Sequence, residues 1–240
     1  MQLPIKDSLL FWLDPSERFV ARDNNNKITS VIEKISDKPL LPASTSAAPT
    51  WTVNAINGQP AMTFAGGQSL KFSFGTRTVS TGTKNPLVIT AVAKGTSFPT
   101  ADNAILELGS ATLTNPGISL DITTGPVFQA YRYDDTNLTA DAATKTPATT
   151  AWHVYTVVYD GTNIILRIDG AQVASTAATN GVGHFTGDQI VIGDFTDGTI
   201  SGFTHGYFTG SIAQVISYAS TSSDPDPENY LLAYYGITHT

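Results

Sequence analysis

Tyr131, Arg132, Tyr133 and Asp134 stand in succession, and Phe203, His205 and Tyr207 fall within the Gly-rich stretch from Gly193 to Gly210. Rings beside hydrogen-bonding side chains suit a sugar, whose apolar C–H faces stack on aromatic surfaces while its hydroxyls take polar partners. Tyr131, Tyr133, Asp134, Phe203, His205 and Tyr207 therefore form the candidate carbohydrate surface. Other reactive side chains are scattered. His153, His184, His205 and His239 show no metal-ligand spacing, and there is no cysteine to join them. His153, at the start of an apolar run, is expected as an outward or edge side chain. Neither a Gly-x-Ser-x-Gly elbow nor a Gly-rich phosphate loop with Lys occurs. Trp12, Trp51 and Trp152 are expected in the core.

Those side chains need a scaffold, and composition bounds what it can be. The chain has 240 residues, 41% of them apolar, enough to bury a core, and sandwiches of this length commonly form one domain. A single domain over residues 1–240 is expected. Without cysteine, stability rests on packing and not on disulfides. The net charge of −7 is uneven: twelve acidic and twelve basic residues balance up to Lys145, whereas beyond it Arg167 faces eight carboxylates. Phosphate backbones require clustered Lys and Arg, so nucleic acid is not an expected partner. No run approaches the roughly 20 apolar residues that cross a bilayer. The first residues carry no basic stretch followed by an apolar one, so no secretory signal is expected. The sequon Asn137-Leu138-Thr139 is then incidental.

Strand signals dominate the pattern. Trp152 to Tyr159 and Ile164 to Ile168 are β-rich runs closed by Asp160-Gly161 and Asp169-Gly170, turn pairs that tolerate positive φ and predict an antiparallel ladder. Leu70, Phe72 and Phe74 alternate with Lys71 and Ser73, the period of a half-buried strand. Further strands are predicted at 8–13, 28–35, 61–64, 87–93, 105–108, 118–122, 127–133, 189–193 and 208–218, with Gly210 placed in a bulge. Pro39, Pro42 and Pro49 make 36–50 a predicted surface excursion. One short helix is predicted near the end, opened by Asp226 and Pro227, favoured by Glu228 and stopped at Gly236, with Leu231, Tyr234 and Tyr235 on its packed side.

Six ordered pieces then resemble one family: Leu10 to Ser16, Asn57 to Phe64, Trp152 to Tyr155, Ile168-Asp169-Gly170, Ile190 to Asp194, and Phe208 to Val215. They are similar to laminin-G-like domains of the concanavalin A-like lectin and glucanase superfamily, over roughly residues 5 to 237. The resemblance implies an all-β jelly roll, a sandwich of two antiparallel sheets, of the kind found in extracellular adhesins and bacteriophage virion proteins. The family's glucanases use a Glu-x-Asp-x-Glu strand, which sets two carboxylates on one face about 5 Å apart. Glu17, Glu33, Glu107 and Glu228 are the only glutamates, and none lies in that motif. Family members that bind calcium do so with rim carboxylates. Here Asp160, Asp194 and Asp197, with Asp134 and Asp135 beside them, are the candidates, although Asp160 and Asp197 precede Gly as turn residues do and the family's acidic position is Ala213-Gln214.

The expected protein is thus a non-catalytic, lectin-like binding or structural module on a bacteriophage virion surface, as capsid decoration or tail protein. Its expected partners are other virion proteins and host glycans, with a homo-oligomer admitted through an exposed sheet edge. No cofactor is required, with calcium the one exception. The alternatives are a polysaccharide-degrading enzyme of the same fold using Asp194 and His205, and a domain of an extracellular bacterial adhesin.

Overall fold

The computed structural model describes residues 9–73, 86–96, 102–109, 117–123, 127–133, 140–146, 149–178, 189–194, 205–219 and 226–239. One sheet runs in the order β15 (Ala171–Ala177), β14 (Asn163–Ile168), β13 (His153–Tyr159), β8 (Leu87–Gly95), β18 (Thr209–Ala219), β6 (Gln59–Ala65), β5 (Thr50–Ile56), with β1 (Leu9–Leu13) also on β18. The second runs β12 (Ala140–Lys145), β11 (Val127–Tyr133), β10 (Gly117–Thr123), β9 (Asp102–Gly109), β16 (Gln189–Ile192), β7 (Leu70–Ser73), and β17 (His205–Gly206) joins β9 in parallel. A small third sheet holds β2 (Val20–Arg22), β3 (Ile28–Ile32) and β4 (Pro39–Leu40).

The two large sheets stack as a sandwich because their alternate side chains share one apolar core, from Phe64, Ile89, Val157 and Val215 on one side to Leu106, Leu120, Phe128 and Ile190 on the other. Aromatic rings bridge the layers. Phe128 lies 4.4 Å, centroid to centroid, from Tyr155, and Phe11 lies 6.1 Å from Phe72. The all-β sandwich expected from the sequence is therefore the observed architecture.

The Asp160-Gly161 and Asp169-Gly170 turns fall where expected, between β13 and β14 and between β14 and β15. Asp169, Gly161 and Gly170 all adopt positive φ. Three details differ from the sequence reading. β2, β4, β5, β12, β15 and β17 were not anticipated, and Pro39 takes a place in β4, at the edge of the small sheet where a missing N–H costs nothing. Gly210 is not a bulge: it pairs with Phe64 and Gly95, and a Cβ there would collide with the Lys94 carbonyl and the Phe208 ring. The irregularity in β18 lies instead between Ile212 and Gln214.

The expected helix is α1 (Asp226–Tyr235). It ends in a Schellman turn, with Gly236 at φ +63 and the Ile237 N–H donating to the Leu232 carbonyl at 2.9 Å. Leu231, Leu232 and Tyr235 are buried against Val88, Val92, Val154, Ile216 and Tyr218 on the outer face of the eight-stranded sheet, whereas Tyr234 points outward. Leu232, not Tyr234, thus completes the apolar stripe.

Candidate functional site

Among the described residues, the aromatic candidates do not form one exposed surface. Tyr131 and Tyr133 stand at the end of β11 that pairs with Gly117, while β17 pairs with the opposite end of β9, at Asp102 and Asn103, which itself lies beside Ile122. Tyr131 lies opposite Ser119 and Asn103 opposite Ile122, three residues or about 10 Å apart along β10 at roughly 3.3 Å per residue, and β10 and β9 both stand between β11 and β17. Tyr131 is moreover only 7% exposed and cannot offer a ring to a ligand from solvent. Tyr207 is 49% exposed. Asp134 and Phe203 lie outside the described residues, as do the side chains of Tyr133 and His205.

Asp160 and Asp194, the proposed calcium ligands among the described residues, also lie apart. Asp160 follows β13 at Tyr159, whereas Asp194 follows β16, and Gly193 accepts the Phe208 N–H just before β18 begins beside the far end of β8. The length of β8 intervenes. Asp160 is also occupied: Oδ1 accepts the N–H groups of Thr162 at 2.7 Å and Asn163 at 2.6 Å, and Oδ2 accepts Asn163 Nδ2 at 3.1 Å. Among the described residues no three His, Cys, Asp or Glu side chains are grouped to hold a metal. Asp197 lies outside them.

Burial alone would raise the Asp160 pKa, but the hydrogen bonds from Asn163 and Thr162 outweigh it and hold the carboxyl below its ordinary value. A lowered folded-state pKa contributes stability above the unfolded value, about 3.9, that is lost as pH falls through the folded one. Asp160→Ala should therefore cost about 1 kcal/mol near neutrality, kept modest by solvent. In urea unfolding the gap to the unsubstituted protein should narrow below about pH 4; a gap constant down to pH 2 would contradict this account.

Two other arrangements stand out. On the outer face of the seven-stranded sheet, Glu107 on β9 is in register with Ser119 on β10, and Ser119 with Tyr131 on β11. Asp121 follows on the same face and accepts the Ser119 hydroxyl at 3.0 Å. Their neighbours Leu106, Leu108, Leu120 and Ile122 point into the core, so period two sends the polar set outward. Glu107, Ser119 and Asp121 are nevertheless buried. The sequence signal was a carboxylate at an alternate position inside each of two apolar strands.

The second arrangement is open to solvent. Tyr230 and Tyr234, four residues apart on α1, stack with centroids 5.6 Å apart and planes inclined by 16°. Tyr234 is 39% exposed, and its hydroxyl donates to Gln59 Oε1 at 2.9 Å. Trp12 reaches the same outer face from β1, because its neighbours Phe11 and Leu13 take the inner one. Lys34 Nζ stands 3.3 Å from the centroid of the Trp12 ring and 3.0 Å from Asp14 Oδ2. Burial, joined by the Asp14 charge, raises the pKa values of Tyr230 and Tyr234, with Tyr234 adding to the rise at Tyr230, so both remain neutral phenols. One exposed ring stacked on a half-buried one, with a carboxylate, an ammonium and an amide nearby, supplies both halves of sugar recognition. The tyrosine spacing was readable in the sequence. The approach of Asp14 and Lys34 was not, because it depends on how β1 and β3 are placed.

No curated protein matches the sequence. Among solved structures, the fold is similar to the binding domain of botulinum neurotoxin DC in complex with rat synaptotagmin II, with a TM-score of 0.61 and 11% identity over 95% of this chain and 52% of that one. It is also similar to the botulinum neurotoxin serotype D ligand binding domain in complex with N-acetylneuraminic acid, at 0.55 and 14% over 89% of this chain and 52% of that one. A leech intramolecular trans-sialidase matches at 0.52 and 16%, over 75% of this chain and 27% of that one. The chain spans about half the length of the neurotoxin domains, and at these identities the likeness is one of fold. The model of one family, described as the concanavalin A-like lectin/glucanases superfamily, matches residues 76–226, more than half of the sequence. With the two-sheet sandwich already in place, the chain belongs to that superfamily.

Proposed function

We propose that the protein is a glycan-binding module whose sugar seat is the Tyr230–Tyr234 face, completed by Asp14, Lys34 and Gln59. The observation that carries this reading is the stacked tyrosine pair, its Tyr234 ring open to solvent, with charged and amide partners beside it. Tyr234→Ala removes the outer ring and leaves the buried stripe of α1 intact. It should weaken binding on a glycan array about fivefold, the worth of roughly 1 kcal/mol of ring stacking. Unchanged affinity for every bound glycan would reject this seat.

The setting we propose is the surface of a bacteriophage virion, as capsid decoration or tail protein, with other virion proteins as neighbours. The resemblance to virion modules and the reliance on packing without disulfides support it, and an extracellular adhesin is the alternative. Antibody labelling of purified particles tests it: protrusions should carry label, and particles free of the protein would refute it.

A second reading, polysaccharide cleavage, draws support from Glu107 and Asp121, which share a face on adjacent strands as paired glycosidic carboxylates must. We favour binding because both carboxylates are buried and Asp121 already holds Ser119. New reducing ends from a panel of bacterial polysaccharides, lost in Glu107→Gln, would reverse that preference.

A further inference from the structure

His153 does not sit free at a strand edge. Its Nδ1 lies 2.5 Å from Asp169 Oδ2, and its Nε2 lies 2.6 Å from Thr149 Oγ1. The Asp169 carboxylate is buried, with side-chain exposure of 5%, and its other oxygen accepts the Val154 N–H at 2.8 Å. Asp169 is held in place by the hairpin turn, since its own N–H donates to the Val154 carbonyl at 2.9 Å. Thr149 is exposed at the opposite end of this chain of contacts.

The order buried carboxylate, imidazole, exposed hydroxyl is that of an activated nucleophile. Asp169 accepts from Nδ1–H and thereby fixes the tautomer in which Nε2 keeps a lone pair. That lone pair accepts the Thr149 O–H and stands ready to take its proton. The Ala151 N–H, donating to Thr149 Oγ1 at 3.3 Å, holds the hydroxyl in place.

We propose that Thr149, His153 and Asp169 form an acyl-transfer site that accepts carboxylic esters. Thr149 Oγ1 attacks the ester carbonyl and forms a new O–C bond while His153 Nε2 takes its proton. The ester C–O bond breaks, and the departing alkoxide receives that proton from His153. Asp169 is a positioning residue, and the product is an acyl-threonine that water can hydrolyse by the same route. The site is independent of the tyrosine face, so neither proposal falls with the other.

Incubating the full chain with p-nitrophenyl acetate tests this, with p-nitrophenol release and peptide mass spectrometry as readouts. One acetyl group should appear on Thr149. It should persist in Thr149→Ser and vanish in Thr149→Val, an exposed substitution of equal shape that the fold tolerates. His153→Gln should slow labelling about 100-fold. Asp169→Asn suits the same positive-φ turn, but its amide would donate to Nδ1 and drive the ring proton to Nε2, so labelling should slow similarly while the melting curve stays cooperative. No label on the unsubstituted protein, label confined to lysine, tyrosine or histidine, or equal rates in Thr149→Val would each overturn the proposal.

Discussion

Arg167→Ala is expected to destabilise the fold by about 3–5 kcal/mol, an unusually large effect for a residue that reaches the surface. Arg167 Nε donates to Glu228 Oε2 at 2.9 Å, and Nη2 donates to the Gly170 carbonyl at 2.5 Å. The Glu228 side chain is 2% exposed, and its Oε1 has no hydrogen-bond partner among the described residues. Truncating the arginine therefore strands a half-satisfied carboxylate beneath α1 and pushes the helix off β13 and β8. The pair itself is a poor source of net stability, since desolvating both ions nearly cancels their attraction. Hence Arg167→Met combined with Glu228→Leu should recover most of the loss, while either charge removed alone should not. Urea unfolding of the three proteins measures this, and a loss below about 1 kcal/mol in Arg167→Ala would show that water reaches Glu228.

That ion pair also marks what was legible in the sequence. Arg167 was visible as the lone cation among eight later carboxylates, but which one it serves depends on β14 and α1 meeting across sixty-one positions. Local signals travelled well: the Asp-Gly turns, the alternation of Leu70 to Ser73 and the Gly236 stop all reappear as expected. Signals that depend on which ends of strands coincide did not. Tyr131 and Tyr207 look like members of one rim in the chain, yet β10 and β9 stand between β11 and the strand that precedes Tyr207, and Tyr131 is buried. The strand at Ala140–Lys145 is mostly Ala, Asp and Lys, residue types depleted in strands, and only pairing with β11 reveals it.

The same dependence explains why His153 looks isolated in the sequence. In the sequence it is a single imidazole sixteen residues from Asp169, with an ordinary hairpin between. Antiparallel pairing of β13 with β14 folds that interval back on itself and sets the turn carboxylate beside the first residue of β13. Hairpin register, and not helical or motif spacing, is what assembles the group. A Thr or Ser a few positions before a strand that begins with His, followed by an Asp-Gly turn one hairpin later, is a sequence signature worth searching for on this ground.

Phe128→Ala should cost about 3–5 kcal/mol, whereas Tyr155→Phe should raise stability by about 1 kcal/mol, although the two rings are in contact. Phe128 and Tyr155 face each other across the sheets with centroids 4.4 Å apart and planes inclined by 38°, both fully buried. Removing the Phe128 ring opens a cavity between layers that strand pairing holds apart, so the site cannot collapse to fill it. The Tyr155 ring does equivalent work from the other side, but its hydroxyl is buried with no hydrogen-bond partner among the described residues. Burial, reinforced by the Asp169 charge, raises the phenol's pKa well above its usual value, so the group stays neutral and carries only a desolvation cost. Replacing it with hydrogen removes that cost and keeps every ring contact. Opposite signs at the two positions, read from chemical denaturation midpoints at constant m-value, would locate the stabilising part of Tyr155 in its ring. A loss above about 1 kcal/mol in Tyr155→Phe would instead mean that an ordered water satisfies the hydroxyl, making that water part of the core.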